Sequence, residues 1–519
     1  MTDVNRIKPS ALNAARRSAD LAALGDTPTV DLVVIGGGIT GAGVAVDAAS
    51  RGLSVVLVDK HDLAFGTSRW SSKLIHGGLR YLATGNVGIA RRSALERGIL
   101  MTRTAPHLVS AMAQLVPLLP TMTRGQRALV RIGFGAGDVL RMLAGTSRAV
   151  LPRSGRISAA AAIALAPTVR RAGLDGALLA YDGQLIDDAR LVVAVARTAA
   201  QYGARVLTRV SASAVSGSSV TLTDELCGES LVVRARAVIN ATGVWAGDID
   251  PAIELRPSRG THLVFDAAVF GNPAAALTIP VPGETNRFVF AMPEQLGRIY
   301  LGLTDEEAPG PVPDVPEPTE AEVRFLLDTV NTALDTQVST ADIVGSYAGL
   351  RPLIDSGHAQ TSDLSREHAV IESDSGLFSV VGGKLTEYRL MAQDVLDRAV
   401  VARGLAAGPC RTRELALIGA PGNPGAVPGL SRPLPASLVA RYGAESPTVL
   451  SAAHCPRPND PVADGIDVTR AEFEFAVTHE GALDIGDMLD RRTRIGLVPT
   501  DRARVTDTAT EIFVEANGG

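Results

Sequence analysis

The residues whose types and spacing suit chemistry begin between positions 30 and 82. Gly36, Gly38 and Gly41 spell G-x-G-x-x-G. The first glycine permits a tight turn, the second lets a phosphate approach the backbone, and the third lets a helix pack close on the preceding strand. Asp59, with Lys60 beside it, follows at the distance where a carboxylate accepts a hydrogen bond from an adenosine ribose hydroxyl. Downstream, Gly66-Thr67-Ser68 and the run from Ser72, Lys73, Leu74 and His76 through Gly77, Gly78, Arg80 and Tyr81 put polar and basic groups where the far end of the same cofactor should lie. Together they point to redox chemistry rather than nucleotide storage. His76 and Arg80 are spaced i, i+4, so a helical turn would put both on one face. A neighbouring guanidinium favours the neutral imidazole that a general base must be at the start. His262 is a second candidate base, on an expected strand.

Positioning these groups requires a strand–helix–strand unit. Asp31 to Ile35 is an apolar run of buried-strand length, Ala42 to Ser50 continues as a helix of small residues, and Ser54 to Val58 is a second buried strand. A helix from Asp187 to about Tyr202, a strand from Ala204 to Val210, and short strands Leu231–Val233 and Ala237–Asn240 follow. The last leads into Ala241-Thr242-Gly243, whose small side chains suit a second close approach of backbone to a flat ligand. Runs between 255 and 304 predict an antiparallel sheet, and Thr319 to about Leu334 an amphipathic helix with Thr319 as N-cap and Glu322 at the capping-box position. Leu377 to Val381, then Gly382-Gly383-Lys384-Leu385-Thr386, then a helix to about Val401, is the expected return of the chain to the cofactor domain.

The chain has 519 residues, enough for two or three domains. With Lys plus Arg at 50 against Asp plus Glu at 55, the charge balance gives no argument for nucleic-acid binding. The three cysteines, Cys227, Cys410 and Cys455, form no C-x-x-C, so no metal site is expected and a reducing compartment suits them. No secretory signal and no spanning apolar stretch is read, so a cytoplasmic protein is expected, either soluble or peripheral on the membrane's cytoplasmic face. Two basic runs stand out. Residues 124 to 148 alternate Arg124, Arg127, Arg131, Arg141 and Arg148 with Leu129, Ile132, Phe134, Leu140 and Leu143, a pattern suited to an anionic membrane surface or to an ordinary surface helix. Asp490-Arg491-Arg492-Thr493-Arg494 reads as a solvated face or an intramolecular salt-bridge set.

Gly66-Thr67-Ser68, Ser71 to Leu82, Tyr181 to Leu191, Asn240 to Gly243, Gly260 to Val264, Ala348-Gly349-Leu350-Arg351-Pro352-Leu353, Ser365-Arg366, Gly382 to Thr386 with Tyr388-Arg389, and Asp487 to Arg494 resemble the FAD-dependent glycerol-3-phosphate dehydrogenases of the aerobic bacterial type. The likeness runs over roughly residues 30 to 500. Trp70, Val244, Leu303 and Glu387 depart from the family's usual residues.

The resemblance selects FAD where the fingerprint alone leaves FAD and NAD open. It implies an α/β fold, with a discontinuous Rossmann-like FAD-binding domain, an inserted antiparallel-sheet substrate domain and a helical C-terminal domain. The expected bounds are an N-terminal extension over 1–29, an oxidoreductase region over 30–404 and a C-terminal domain over 405–519. FAD-binding pieces are expected at about 30–110, 185–250 and 345–404. Implied cofactor contacts are Gly36, Gly38, Gly41, Asp59, Lys60, Thr67, Ser68, Ser72, Lys73, Leu74, His76, Gly77, Gly78, Ala241, Thr242, Gly243, Gly383, Lys384, Leu385 and Thr386. The implied reaction oxidises sn-glycerol 3-phosphate to dihydroxyacetone phosphate, with hydride passing from C2 to the flavin and electrons to a quinone acceptor. His76, Arg80, His262, Arg351 and Lys384 are the implied catalytic residues, and Arg80, Tyr81, His262, Arg351, Arg366 and Lys384 the substrate-binding ones. A homodimer is compatible with this reading. An oxidase that passes electrons to oxygen, and a flavin-fold binding protein without turnover, are the alternatives.

Overall fold

The computed structural model describes residues 9–78, 86–284, 287–354, 367–423 and 434–518. Its first layer is an eight-stranded sheet. The strand Thr29–Ile35 lies at its centre, parallel to Val55–Asp59 on one side and to Ser230–Asn240 on the other. Arg205–Thr208 and Phe378–Gly382 extend it in parallel, so strands distant in sequence share one sheet. The central strand is buried nearly throughout, which is why it reads as an unbroken apolar run. Leu231–Val233 and Ala237–Asn240, expected as two strands, are one continuous strand.

The fingerprint helix, Ile39–Ser50, packs between the helices Asp188–Gln201 and Tyr388–Arg403. Its small residues allow this. A Cβ on Gly41 would lie 1.9 Å from the Gly36 carbonyl oxygen, so only glycine lets the helix sit this close to the strand it follows.

The second layer is a ten-stranded sheet. It is mostly antiparallel, but Ala276–Pro280 runs parallel to Val109–Pro117. Its strand Ala177–Leu185 runs directly before the helix Asp188–Gln201, and Ile343–Arg351 pairs along its length with Ser258–Asp266. The piece expected at 345–404 thus begins with a strand of the second sheet, while its strand His368–Glu372 belongs to the first. In this register Gly349 and Ala348 oppose Gly260 and Thr261, and the two glycines leave room for Trp70 and for the Arg351 guanidinium.

The helix Glu320–Asn331 carries the expected capping box of Thr319 and Glu322. The C-terminal region is helical with one added hairpin, Pro461–Ala463 with Ile466–Thr469. Residues 14–26 of the N-terminal extension pack on the first sheet. They form the helix Ala14–Asp26, fastened by Arg17, which donates to the Thr208 carbonyl at 2.8 Å and pairs with Asp224. No described helix is long and apolar enough to cross a membrane, and no group of metal-ligating side chains occurs among the described residues.

Candidate active site

A cavity of about 1230 Å³ runs between the two sheets. At one end the first strand and its turn supply Gly36 and Gly38, and the next strand ends in Asp59 with Lys60. Asp59 accepts from the backbone N–H of Gly37 at 2.6 Å and of His61 at 2.8 Å, so its carboxylate is fixed at the cavity wall. Desolvation pushes its pKa up to about 6 against these two donors. Ser68 turns its hydroxyl to the N–H of Ile39 at 2.9 Å, at the start of the fingerprint helix. Thr67 donates to the Leu350 carbonyl at 2.7 Å and so ties the cofactor loop to the second sheet. Asn240 anchors the Ala241-Thr242-Gly243 turn by accepting from the Thr242 hydroxyl at 2.7 Å.

The other end is polar and cationic. His262 is buried on its strand, with Nε2 2.9 Å from the Ser72 hydroxyl. Its ring stacks on Tyr347 at 4.7 Å, and Tyr347 stacks in turn on Trp70 at 5.6 Å. The unusual Trp70 is thus the base of a three-ring stack beneath the histidine. Burial, helped by the positive charges of Lys73 and Arg351, holds the His262 pKa well below the usual imidazole value, so its ring is neutral at neutral pH. Arg351 donates to the Ser258 hydroxyl at 3.2 Å and the Thr304 carbonyl at 3.1 Å, and lies 3.3 Å from Asp305. Lys384 donates to Ser93 at 2.8 Å and pairs with Glu387 at 2.9 Å. Glu387, the other conspicuous departure, is therefore the buried partner of a cavity lysine.

Of the expected residues, Ser72, Leu74, His76, Gly78, Gly383, Leu385 and Thr386 also line this cavity. Three do not. Gly41 works inside the helix packing. Gly77 donates its N–H to Asp182. Lys73 turns away from the cavity, buried, with Nζ bonded to Asp188 and to the Arg69 carbonyl. A buried ammonium needs a counter-ion, and Asp188 supplies it behind the wall. The helical turn expected at His76 is not formed there: Leu74–Ile75 is a strand, and Gly78 has φ +81°. Arg80, Tyr81 and Arg366 lie outside the described residues.

Other residues enter the site unannounced. Thr278 lines the cavity with a buried hydroxyl that has no partner among the described residues, a waiting hydrogen-bond donor and acceptor. Asp188 holds the cavity loop through the Ser71 hydroxyl at 2.7 Å. The acid pair Asp187-Asp188 was visible in the sequence, but its target was not.

Residues 31–388 match the family described as FAD dependent oxidoreductase, and residues 410–517 the C-terminal domain of alpha-glycerophosphate oxidase. The chain is 72% identical over 508 residues to glycerol-3-phosphate dehydrogenase 1 of Mycobacterium tuberculosis, covering 97% of this chain and 98% of that protein. The chain belongs to the FAD-dependent glycerol-3-phosphate dehydrogenase family. It is 35% identical to the aerobic glycerol-3-phosphate dehydrogenase of Staphylococcus aureus over 75% of this chain and 71% of that one. The glycerol-3-phosphate dehydrogenase of Bacillus halodurans, solved with FAD, superposes with a TM-score of 0.71 at 25% identity, over 97% of this chain and 94% of that chain. FAD is the cofactor of this family member. The cavity fits it, with a phosphate-accepting glycine turn beside an anchored carboxylate at one end and an enclosed polar end beyond.

Proposed function

We propose that this enzyme oxidises sn-glycerol 3-phosphate to dihydroxyacetone phosphate and passes the electrons to a quinone-type acceptor at a membrane surface. The observation that carries the reading is one continuous cavity that joins the nucleotide-binding turn and Asp59 to His262, Arg351 and Lys384. FAD bound there supplies a two-electron hydride acceptor. Arg351 and Lys384 offer a fork and a point charge for a phosphate dianion. A neutral His262 accepts the proton of the C2 hydroxyl, with Ser72 orienting its ring. His76, on the same cavity, is the alternative base.

The acceptor half of the reading draws on the helix Arg124–Leu143. Leu129, Val130, Ile132 and Phe134 border the cavity, while Ile132, Met142 and Leu143 are exposed. An amphipathic helix at the mouth of a redox site suits a lipid interface that delivers an apolar acceptor. The test is anaerobic addition of glycerol 3-phosphate to the holoenzyme. Loss of the oxidised flavin absorption is expected, and a flavin that stays oxidised at millimolar substrate overturns the reading. The C-terminal match to an oxidase domain favours oxygen as a second acceptor. Stoichiometric peroxide per turnover would select oxygen over quinone.

A further inference from the structure

The basic run near the C-terminus is neither solvated nor remote. Arg492 makes a bidentate pair with Asp62, at 2.7 and 2.8 Å, and both side chains are fully buried. Arg491 donates to the same carboxylate at 2.6 Å. Arg494 donates to the Arg69 carbonyl at 2.7 Å, and its Nε lies 3.1 Å from Asp187. Arg494 itself has φ +64°, a strained left-handed backbone for a side chain of this size. The neighbouring Lys73 ammonium bonds the same Arg69 carbonyl at 3.0 Å and pairs with Asp188.

These contacts share one target. Asp62 opens the loop that leaves the adenosine-side strand, and Arg69 stands seven residues on. Between and just after them lie Thr67, Ser68 and Ser72, which face the cavity. The same loop presents Ser68 to the fingerprint helix and Ser72 to His262. The loop has little regular structure of its own beyond a short 3-10 turn, Thr67–Arg69. A loop of this kind keeps its geometry through what grips it.

We propose that Arg491, Arg492 and Arg494 are positioning residues, a clamp from the C-terminal domain that holds loop 62–73 in its FAD-binding shape. The C-terminal domain then contributes to cofactor affinity without touching the cofactor. Bidentate guanidinium pairing suits the role, because it fixes direction as well as distance. Four guanidinium groups, with Arg69 among them, are crowded here at an electrostatic cost that Asp62, Asp187 and stacking of Arg69 on Trp70 at 4.2 Å offset. A chain seeking stability alone would fill such a site with apolar side chains.

The test compares full-length variants stripped of flavin and titrated with FAD. Arg492→Met should raise the FAD dissociation constant by about tenfold or more and alter the visible flavin spectrum. Arg494→Lys keeps the charge but loses the fork, and should weaken FAD by about threefold while the fold is retained. The control is Arg441→Met. Arg441 makes an equally buried pair with Glu472, at 2.6 Å, wholly within the C-terminal domain. It should lower the unfolding midpoint yet leave FAD affinity within about twofold. Unchanged FAD affinity in both Arg492→Met and Arg494→Lys overturns the clamp. So does an equal loss of affinity in Arg441→Met at matched stability, which would make the effect general destabilisation. If Arg492→Met does not fold, Arg494→Lys against Arg441→Met decides.

Discussion

Two basic stretches of this chain look alike in sequence and end in opposite surroundings. The helix Arg124–Leu143 leaves Ile132 69% exposed and Leu143 67% exposed. The run Arg491–Arg494 is buried, with Arg492 fully enclosed against Asp62. The difference lies in the partners. The exposed helix has Asp138 within reach of Arg141 and Arg153, but most of its arginines face no buried acid. The buried run meets Asp62, Asp187 and Asp487, each from another element or turn. A charge run is thus placed by where the acids are; Asp487 is one helical turn away, but Asp62 and Asp187 lie hundreds of residues off.

Removing an acid from the buried side gives the largest effect. Asp62→Ala leaves two guanidinium groups enclosed without their carboxylate, and should cost about 3–5 kcal/mol of unfolding free energy in a denaturant titration. A loss below about 1 kcal/mol would mean that water reaches the site, and the contrast with the exposed helix would collapse. On the exposed side, Ile132→Glu should change stability by no more than about 0.5 kcal/mol. It should still reduce binding to anionic vesicles by about tenfold, since an inserted isoleucine contributes roughly 1.5–3 kcal/mol. Unaltered sedimentation with vesicles would return this stretch to an ordinary surface helix.

Legibility in the sequence follows the same division. The cofactor end was readable because local rules govern it: a buried strand, three glycines, a helix of small residues and an acid at fixed spacing. Thr319 with Glu322 was readable for a similar reason, as a cap is a contact over three residues. The substrate end depends on pairings no local pattern carries. Strand Ile343–Arg351 joins Ser258–Asp266 across more than eighty positions, which put Arg351 in the substrate sheet. Lys73 stands inside a motif rich in cavity residues, yet a left-handed backbone of φ +57° just before the strand Leu74–Ile75 turns it to Asp188 behind the wall. Glu387 and Trp70 registered as departures, but their partners, Lys384 and the Tyr347–His262 stack, needed the fold.

Asp59 and Asp62 bring the comparison down to three residues of one turn. Asp62 is fully buried and Asp59 half-buried at the cavity wall, and this desolvation alone would raise both pKa values. At Asp62 the charges of Arg492 and Arg491 outweigh burial and hold the carboxyl well below its usual range. At Asp59 two backbone donors do not, and the pKa stands at about 6. The signs then differ. The depressed Asp62 contributes stability above its unfolded value near 3.8 that is lost only as pH falls through its lower folded value. The raised Asp59 makes the folded protein hold an extra proton between about 3.8 and 6, so its ionisation weakens the flavin-free protein as pH rises through that window. A ribose hydroxyl donates to the carboxylate form, so FAD binding must expel that proton below pH 6. With a pKa near 6, the FAD dissociation constant should therefore rise by about tenfold between pH 7.5 and pH 5. Asp59→Asn should flatten this dependence while weakening FAD at pH 7.5. A pH profile that stays steep in Asp59→Asn would assign the titration to another group and remove the contrast between the two acids.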